Sequence, residues 1–232
     1  MADAQKPKSD EPHYLGHRDR LRTRLLDAGT EALPDYEVLE FLLYSTNPRG
    51  DTKPLAKQLI ERFGSFAAVL SAGREALRDA DLSDRTVASL LAVREAASRL
   101  LKGEMRDKPV LSSWQALLDY CTARMGFGPV EEFRLLFLDR KNVLMADERQ
   151  QTGTVDQTPV YPREVVKRAL ELNASAVLLV HNHPSGDTTP SRADIEMTRA
   201  VREALKTVNI ALHDHLIVGR GRHSSFKSLG LL

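Results

Sequence analysis

The sequence contains little cysteine, no long apolar run and no excess of charge of either sign. Its single cysteine, Cys121, cannot form a disulfide within the chain, and it excludes zinc sites built from two or more thiolates. Uncharged apolar runs such as Ala176–Val180 fall far short of the roughly 18 residues that a membrane-spanning helix needs. We therefore expect no membrane contact, and we expect any bound zinc to be held by histidine and carboxylate side chains.

The charge balance bears on nucleic-acid binding. The 232 residues include 33 lysines and arginines against 32 aspartates and glutamates, which gives a net charge of +1. Because non-specific DNA binding is driven by an excess of basic side chains, this balance does not imply it. Four arginines cluster between His17 and Arg24, and we interpret them as a solvated helix face, with a nucleic-acid contact as the alternative.

The N-terminal half is predicted to be helical. Its apolar residues recur at helical spacing from Leu21 to Lys102, with breaks at Gly29 and at residues 47–50, 64–65 and 79–84. The first residues carry charges and prolines in place of the apolar stretch of a secretory signal, so we expect a cytoplasmic protein. The predicted divisions are a disordered tail over 1–13, a helical domain over 14–102, a linker over 103–109 and a second domain over 110–232.

The second domain is predicted to be an α/β domain in which helices cover a sheet. A β-hairpin is expected where the bulky residues 131–139 are followed by a turn and a return strand at 143–146. The other predicted elements are a helix over 113–125, a helix over 161–172, a strand over 176–180, a helix over 191–206 and a strand over 210–218. Such alternation of strands and helices is typical of a layered domain.

The residues that follow the predicted strand Ala176–Val180 indicate a metal site. His181 and His183 are two positions apart, and since side chains alternate along a strand, their imidazoles can point the same way. Asp194, at the start of the next predicted helix, supplies a possible third ligand. Two neutral imidazoles and one carboxylate leave a fourth tetrahedral position for water, which is the arrangement of a catalytic zinc.

The same residues also have structural interpretations. Ser191 and Asp194 form a helix-capping pattern, in which the carboxylate only lies near the positive end of the helix. His213 and His215 alternate with Asp214 and are predicted to share one face of the last strand, as core or edge histidines in preference to further ligands. Two histidines, a Pro/Gly loop and a Ser-x-x-Asp helix start together favour the metal site.

These residues resemble a known family. His181-x-His183 followed by Ser191-x-x-Asp194 fits the metal motif of the JAB/MPN metalloprotease superfamily. Residues 110–232 resemble the bacterial RadC family closely, through GTVDQTPVYPREVVKRALELNA, HNHPSGDTTPSRADIEMT and DHLIVG. Residues 14–100 resemble its helical N-terminal region less closely, through GHRDRLRTRLL, ALPDYEVLEFLL and KPLAKQLIERFGS. The resemblance implies a small all-α domain followed by a JAB/MPN-like, cytidine-deaminase-like mixed sheet flanked by helices.

The resemblance also implies roles for single residues. His181, His183 and Asp194 would bind Zn²⁺, and Ser191 would help to stabilise the oxyanion of a tetrahedral intermediate. The family further needs an upstream glutamate as general base, and two adjacent candidates, Glu131 and Glu132, begin the first strand of the predicted hairpin.

Strand parity chooses between the two glutamates. Glu131 continues the face of Phe133, whereas Glu132 shares its face with Arg134. A carboxylate that continues an apolar face is suited to a partly buried site, where its pKa can rise to match proton transfer. Glu131 also fits the family's Glu-x-Phe pattern, so we predict Glu131 as the base.

The predicted function is a zinc-dependent peptidase or isopeptidase with a peptide or protein substrate. Glu131 would help to remove a proton from water and return it to the leaving amine. Two alternatives stay open: a DNA-associated repair or recombination protein, with or without nuclease activity, and a domain that keeps its metal but only binds a partner. A family-type helix-hairpin-helix turn would fall at Ala80–Arg85, where aspartates in place of glycine disfavour a phosphate.

Overall fold

A computed structural model of the chain describes residues 16–29, 31, 33–104, 108–152 and 160–232. The tail predicted over residues 1–13 lies outside these ranges, as do residues 105–107 of the predicted linker and residues 153–159 of the second domain. Within the described ranges, no helix combines the length and apolar character needed to cross a membrane.

The N-terminal part is helical, as predicted. Its helices are α1 (His17–Ala28), α2 (Asp35–Tyr44), α3 (Lys53–Phe63), α4 (Phe66–Ser71), α5 (Arg74–Arg78) and α6 (Asp84–Glu104). Gly29 and Gly64 end α1 and α3 at positive φ values of 77° and 92°, which glycine adopts without a steric penalty. α6 continues to Glu104, into the segment predicted as a linker, because a single Gly103 destabilises a helix by only about 1 kcal/mol and does not end it.

The arginine cluster of α1 is engaged within the protein. Arg18 donates to the backbone carbonyls of Asn47, Pro48 and Gly50, at 2.7–2.9 Å. Arg24 pairs with the buried carboxylate of Glu37 at 2.8 Å. The interpretation of this cluster as a solvated face is therefore incomplete, since Arg18 and Arg24 fasten α1 to the loop after α2 and to α2 itself.

The second part is a mixed sheet between helices, as predicted. After a short 3-10 helix (Val110–Ser113) come α7 (Trp114–Met125), β1 (Glu132–Leu138), β2 (Leu144–Thr152), α8 (Pro162–Glu171), β3 (Ala176–Asn182), α9 (Arg192–Lys206), β4 (Ala211–Gly219) and β5 (Arg222–Ser225). The strand order is β2-β1-β3-β4-β5, with β3 and β4 parallel and the other pairs antiparallel.

Each face of the sheet has its own apolar core. Leu136, Leu178 and Leu216 pack with residues of α7 on one face, which we call the α7 face. Phe133 and Leu179 pack on the other with residues of α8 and α9, and we call this the α8–α9 face. This alternation is why neighbouring residues of one strand enter different chemical environments.

Two strands are longer than predicted, and a third was not predicted. β3 runs through Asn182 instead of ending at Val180, so the first histidine of the metal motif lies inside the strand. β2 extends to Thr152 instead of residue 146. The prediction ended the strand too early because its second half is polar: Asp147 and Glu148 pair with arginines and give no apolar pattern. β5 was not predicted, since its sequence RHSS lacks alternation of apolar residues.

A two-residue turn connects β4 to β5. Arg220 and Gly221 both have positive φ, 43° and 79°, between two antiparallel strands. A two-residue turn of this kind is typical of a tight β-hairpin. The last strand of the prediction is therefore followed by a short hairpin partner.

Candidate metal centre

The pairing of β1 with β3 positions the first histidine. Phe133 lies opposite His181, and their rings stack with centroids 5.6 Å apart. The backbone N–H of His183 donates to Val218 on β4, which keeps the chain extended for one residue beyond β3. As the spacing predicted, His181 and His183 converge, and their Nε2 atoms lie 2.9 Å apart.

Asp194 reaches the two histidines from the first turn of α9. Its side chain accepts from the backbone N–H of Ser191 at 2.8 Å, while Asp194 N–H donates to the Ser191 hydroxyl oxygen at 3.1 Å. The Asp194 carboxylate also lies 3.4 Å from His181 Nε2 and 3.7 Å from His183 Nε2. One carboxylate therefore both caps α9 and joins His181 and His183 in a cluster of three candidate ligands.

The donor set fits a zinc ion. The three candidate ligand atoms all lie within 4.8 Å of one another. Ligand atoms in a tetrahedral zinc site with bonds of about 2.0–2.1 Å are about 3.3 Å apart. The two Nε2 atoms lie 2.9 Å apart, one Asp194 oxygen lies 3.4 Å from His181 Nε2, and the other Asp194 oxygen lies 3.7 Å from His183 Nε2. His183 Nδ1 donates to the Asp187 carbonyl at 2.6 Å, so the neutral His183 ring has its Nε2 lone pair directed at the other two candidate ligands.

Burial and charge set the protonation of the cluster. Burial lowers the pKa of His181 to about 4, which keeps this imidazole neutral near pH 7. The neighbouring Asp194 carboxylate raises the pKa of His183. Burial opposes ionisation of Asp194, yet the interactions of its carboxylate with His183, His181 and Ser191 outweigh burial, and the pKa of Asp194 is lowered. An ionised carboxylate beside a neutral imidazole is suited to bind a divalent cation.

The two candidate bases lie in different surroundings. Glu132 binds Arg134 at 2.5 Å and lies 3.8 Å from Arg149, on the α7 face. Glu131 is half-buried, and its negative charge is one of the causes that raise the pKa of His183. Glu131 precedes β1, and of the two glutamates it is the one whose charge acts on His183.

Asn182 is a residue whose role the sequence did not reveal. Its fully buried amide accepts from Glu132 N–H at 2.7 Å and donates to the carbonyls of Gly128 and Val130 at 3.3 and 3.1 Å. These contacts hold the backbone on both sides of Glu131. The position of Asn182 between two cluster histidines places its side chain on the opposite face, but no spacing rule shows which loop it binds.

The other predicted residues have clear locations. The Ser191 hydroxyl donates to Asp194 at 2.6 Å, so in this structure it orients the carboxylate. His215 is buried, and its Nε2 lies 2.7 Å from His181 Nδ1. His213 instead contacts Asn142 at 2.5 Å.

The prediction that His213 and His215 share one face is wrong. A register irregularity between β3 and β4 pairs Val177 with Leu212 but Leu178 with Asp214, so His213 is an extra residue in the ladder. The bulge sends the two histidine side chains to different partners.

A helix-flanked mixed sheet with a His-x-His pair at the end of a central strand, and an aspartate in the following helix, defines the class of domain to which this chain belongs. The family model of the RadC-like JAB domain matches residues 111–231, more than half of the chain. The chain belongs to this family, and the resemblance of the second domain is confirmed.

Proposed function

We propose that the protein is a zinc-dependent hydrolase that cleaves an amide bond in a peptide or an isopeptide-linked protein. The observation that supports this most directly is the convergence of His181 Nε2, His183 Nε2 and the Asp194 carboxylate beside Glu131. This combination supplies a cation site and a separate carboxylate for proton transfer.

Each residue has a defined part in the proposed reaction. His181, His183 and Asp194 would hold zinc, which when bound lowers the pKa of a water and polarises a carbonyl oxygen. Glu131 would accept the proton of the attacking water and pass it to the leaving amine. Ser191 orients Asp194, and its predicted part in oxyanion stabilisation requires its hydroxyl to turn from Asp194 towards the substrate.

A cleft beside the site supports a polypeptide substrate. It has a volume of about 500 Å³ and lies between the helical part and the segments just before Glu131 and just after His183. Gly128, Pro129 and Pro184, which are close in sequence to Glu131 and His183, are among its lining residues. Apolar walls next to a hydrolytic centre are suited to bind the side chains of a peptide.

The test compares the two adjacent glutamates. We expect Glu131→Gln to retain zinc and to lose at least roughly 100-fold in hydrolysis of a fluorescent peptide and isopeptide panel, because the amide cannot accept the proton. Glu132→Gln serves as the matched control and is expected to keep turnover. Unchanged turnover in the Glu131 variant would contradict the assigned base.

The DNA-associated alternative has less support. The predicted hairpin turn connects α5 and α6, and Asp81 occupies its left-handed position at φ 58°. Arg78 is paired with Asp84 at 2.7 Å. An aspartate-rich turn repels phosphate, and the arginine beside it is already neutralised.

A further inference from the structure

We propose that His215 and Thr198 are positioning residues that fix the tautomer of His181, so that its Nε2 lone pair faces the metal cluster. The inference deepens the proposed function, since it concerns how the same site is prepared for a cation. It also concerns the metal-free protein, where it can be tested separately.

A continuous chain of short contacts carries the inference. Thr198 Oγ1 donates to the backbone carbonyl of Asp194 at 2.5 Å. His215 Nδ1 lies 2.6 Å from the same hydroxyl, and His215 Nε2 lies 2.7 Å from His181 Nδ1. Thr198, His215 and His181 are all at most 1% exposed, so water does not compete for these bonds.

The carbonyl at one end determines the direction of every bond. A carbonyl oxygen only accepts, so the single hydroxyl hydrogen of Thr198 is used on Asp194. His215 Nδ1 must then donate to Thr198, which leaves His215 Nε2 as an acceptor. His181 Nδ1 must donate to it, and the neutral His181 ring is left with a bare Nε2.

The opposite direction is unfavourable in this geometry. It would need the Thr198 hydroxyl to donate to His215, which would leave two oxygens 2.5 Å apart with no hydrogen between them. A second proton on His215 would place a charge between the rings of Phe226 and Phe133, whose centroids are 4.4 and 5.5 Å away. The same packing holds the plane of the His215 ring.

The helix α9 therefore acts on the site in two ways. Its residue Asp194 supplies a carboxylate to the cluster and also the carbonyl that starts the chain. Thr198 lies one helical turn further, directly above that carbonyl. His183 has a separate arrangement, because the Asp187 carbonyl fixes its tautomer without an intermediate residue. Thr198 and His215 are thus expected to affect His181 selectively.

The matched variants are Thr198→Val and Thr198→Ser. Valine keeps the shape but removes the hydroxyl, so the proton of His215 is expected to move to Nε2 and that of His181 from Nδ1 to Nε2. Zinc must then displace a proton at its ligand atom, and we expect the zinc Kd to rise roughly 10–100-fold. Serine keeps the hydroxyl and is expected to restore the wild-type value.

Two independent readouts are used. Long-range ¹H–¹⁵N spectra of metal-free protein show which nitrogen of each imidazole is protonated, and chelator competition gives the zinc Kd. We expect a proton on Nδ1 of His181 in the wild type and the serine variant, and on Nε2 in the valine variant. His183 is expected to stay protonated on Nδ1 in all three.

The outcomes separate this inference from the proposed function. A proton on Nε2 of His181 in metal-free wild type would overturn the inference, even if the valine variant fails to fold. An unchanged spectrum and zinc Kd in a folded Thr198→Val variant would overturn it as well. A wild type that shows the expected tautomer but binds no zinc would contradict the proposed function alone.

Discussion

The two faces of the sheet at the start of β1 use polar residues in opposite ways. On the α8–α9 face, buried imidazoles and aromatic rings surround a cluster of three candidate ligands. On the α7 face, Arg134 lies between the carboxylates of Glu132 and Asp147, and the Tyr120 hydroxyl donates to Asp147. The first face has ligand atoms that point at a shared space, whereas the second has ion pairs that satisfy one another.

Partners, and not residue type, distinguish the two faces. Burial opposes the charge of Arg134, but hydrogen bonds with Asp147 and Glu132 outweigh it and raise the pKa of Arg134. On the other face, burial alone dominates and lowers the pKa of His181. Glu131 and Glu132 are adjacent in the chain, yet the first acts electrostatically on the cluster and the second neutralises an arginine. A carboxylate held in this way is a structural element.

The largest effect is expected from breaking the ion pairs of the α7 face. Arg134→Met would leave Asp147 and Glu132 without their cation, and removing one member of a buried ion pair destabilises a protein by about 3–5 kcal/mol. Urea unfolding measures this loss. The zinc content of the folded fraction is expected to be unchanged, and loss of zinc with full stability would contradict the separation of the two faces.

A smaller effect is expected when the pH is lowered, because His181 on the α8–α9 face then contributes less to the stability of the metal-free protein. The unfolded chain protonates His181 below about pH 6.5, whereas the folded protein does so only near pH 4, so stability falls as the pH is lowered through this window. The shift corresponds to up to about 3 kcal/mol. Urea unfolding at several pH values should show a smaller slope in His181→Gln. The raised pKa of His183 has the opposite sign and is common to both proteins.

The smallest of the three effects concerns the residue that links the faces. Asn182→Ala removes the bonds that hold the backbone around Glu131, and we expect kcat/KM to fall by roughly 10–100-fold with zinc retained. Zinc content and kinetics measured on the same preparation distinguish a loss of zinc from a loss of activity with zinc bound. Full activity in this variant would show that the loop holds Glu131 without Asn182.

The sequence was most informative where strand parity applies. Parity predicted that His181 and His183 converge, and it predicted that Glu132 shares the face of Arg134, with which Glu132 pairs. Parity failed at His213, because a bulge adds a residue to the ladder and no local signal in the chain marks it. Regular geometry can therefore be predicted from spacing, and irregular geometry cannot.

Long-range polar contacts were the other limit. Asn182 and Thr198 are placed by side chains and carbonyls that are distant in sequence or belong to another element, so their partners are visible only in three dimensions. The polar strands β2 and β5 were missed or shortened for a related reason. Both are edge strands, and β2 is held in part by ion pairs, so neither shows the apolar alternation from which strands are predicted.

The central claim, that His181, His183 and Asp194 form a zinc site, is tested most directly by metal content. Elemental mass spectrometry on protein purified without chelator is expected to give about one zinc per chain in the wild type. The double variant His181→Ala/His183→Ala is expected to lose that zinc, because a single carboxylate remains. A folded wild type without zinc, or a double variant that retains it, would contradict the account.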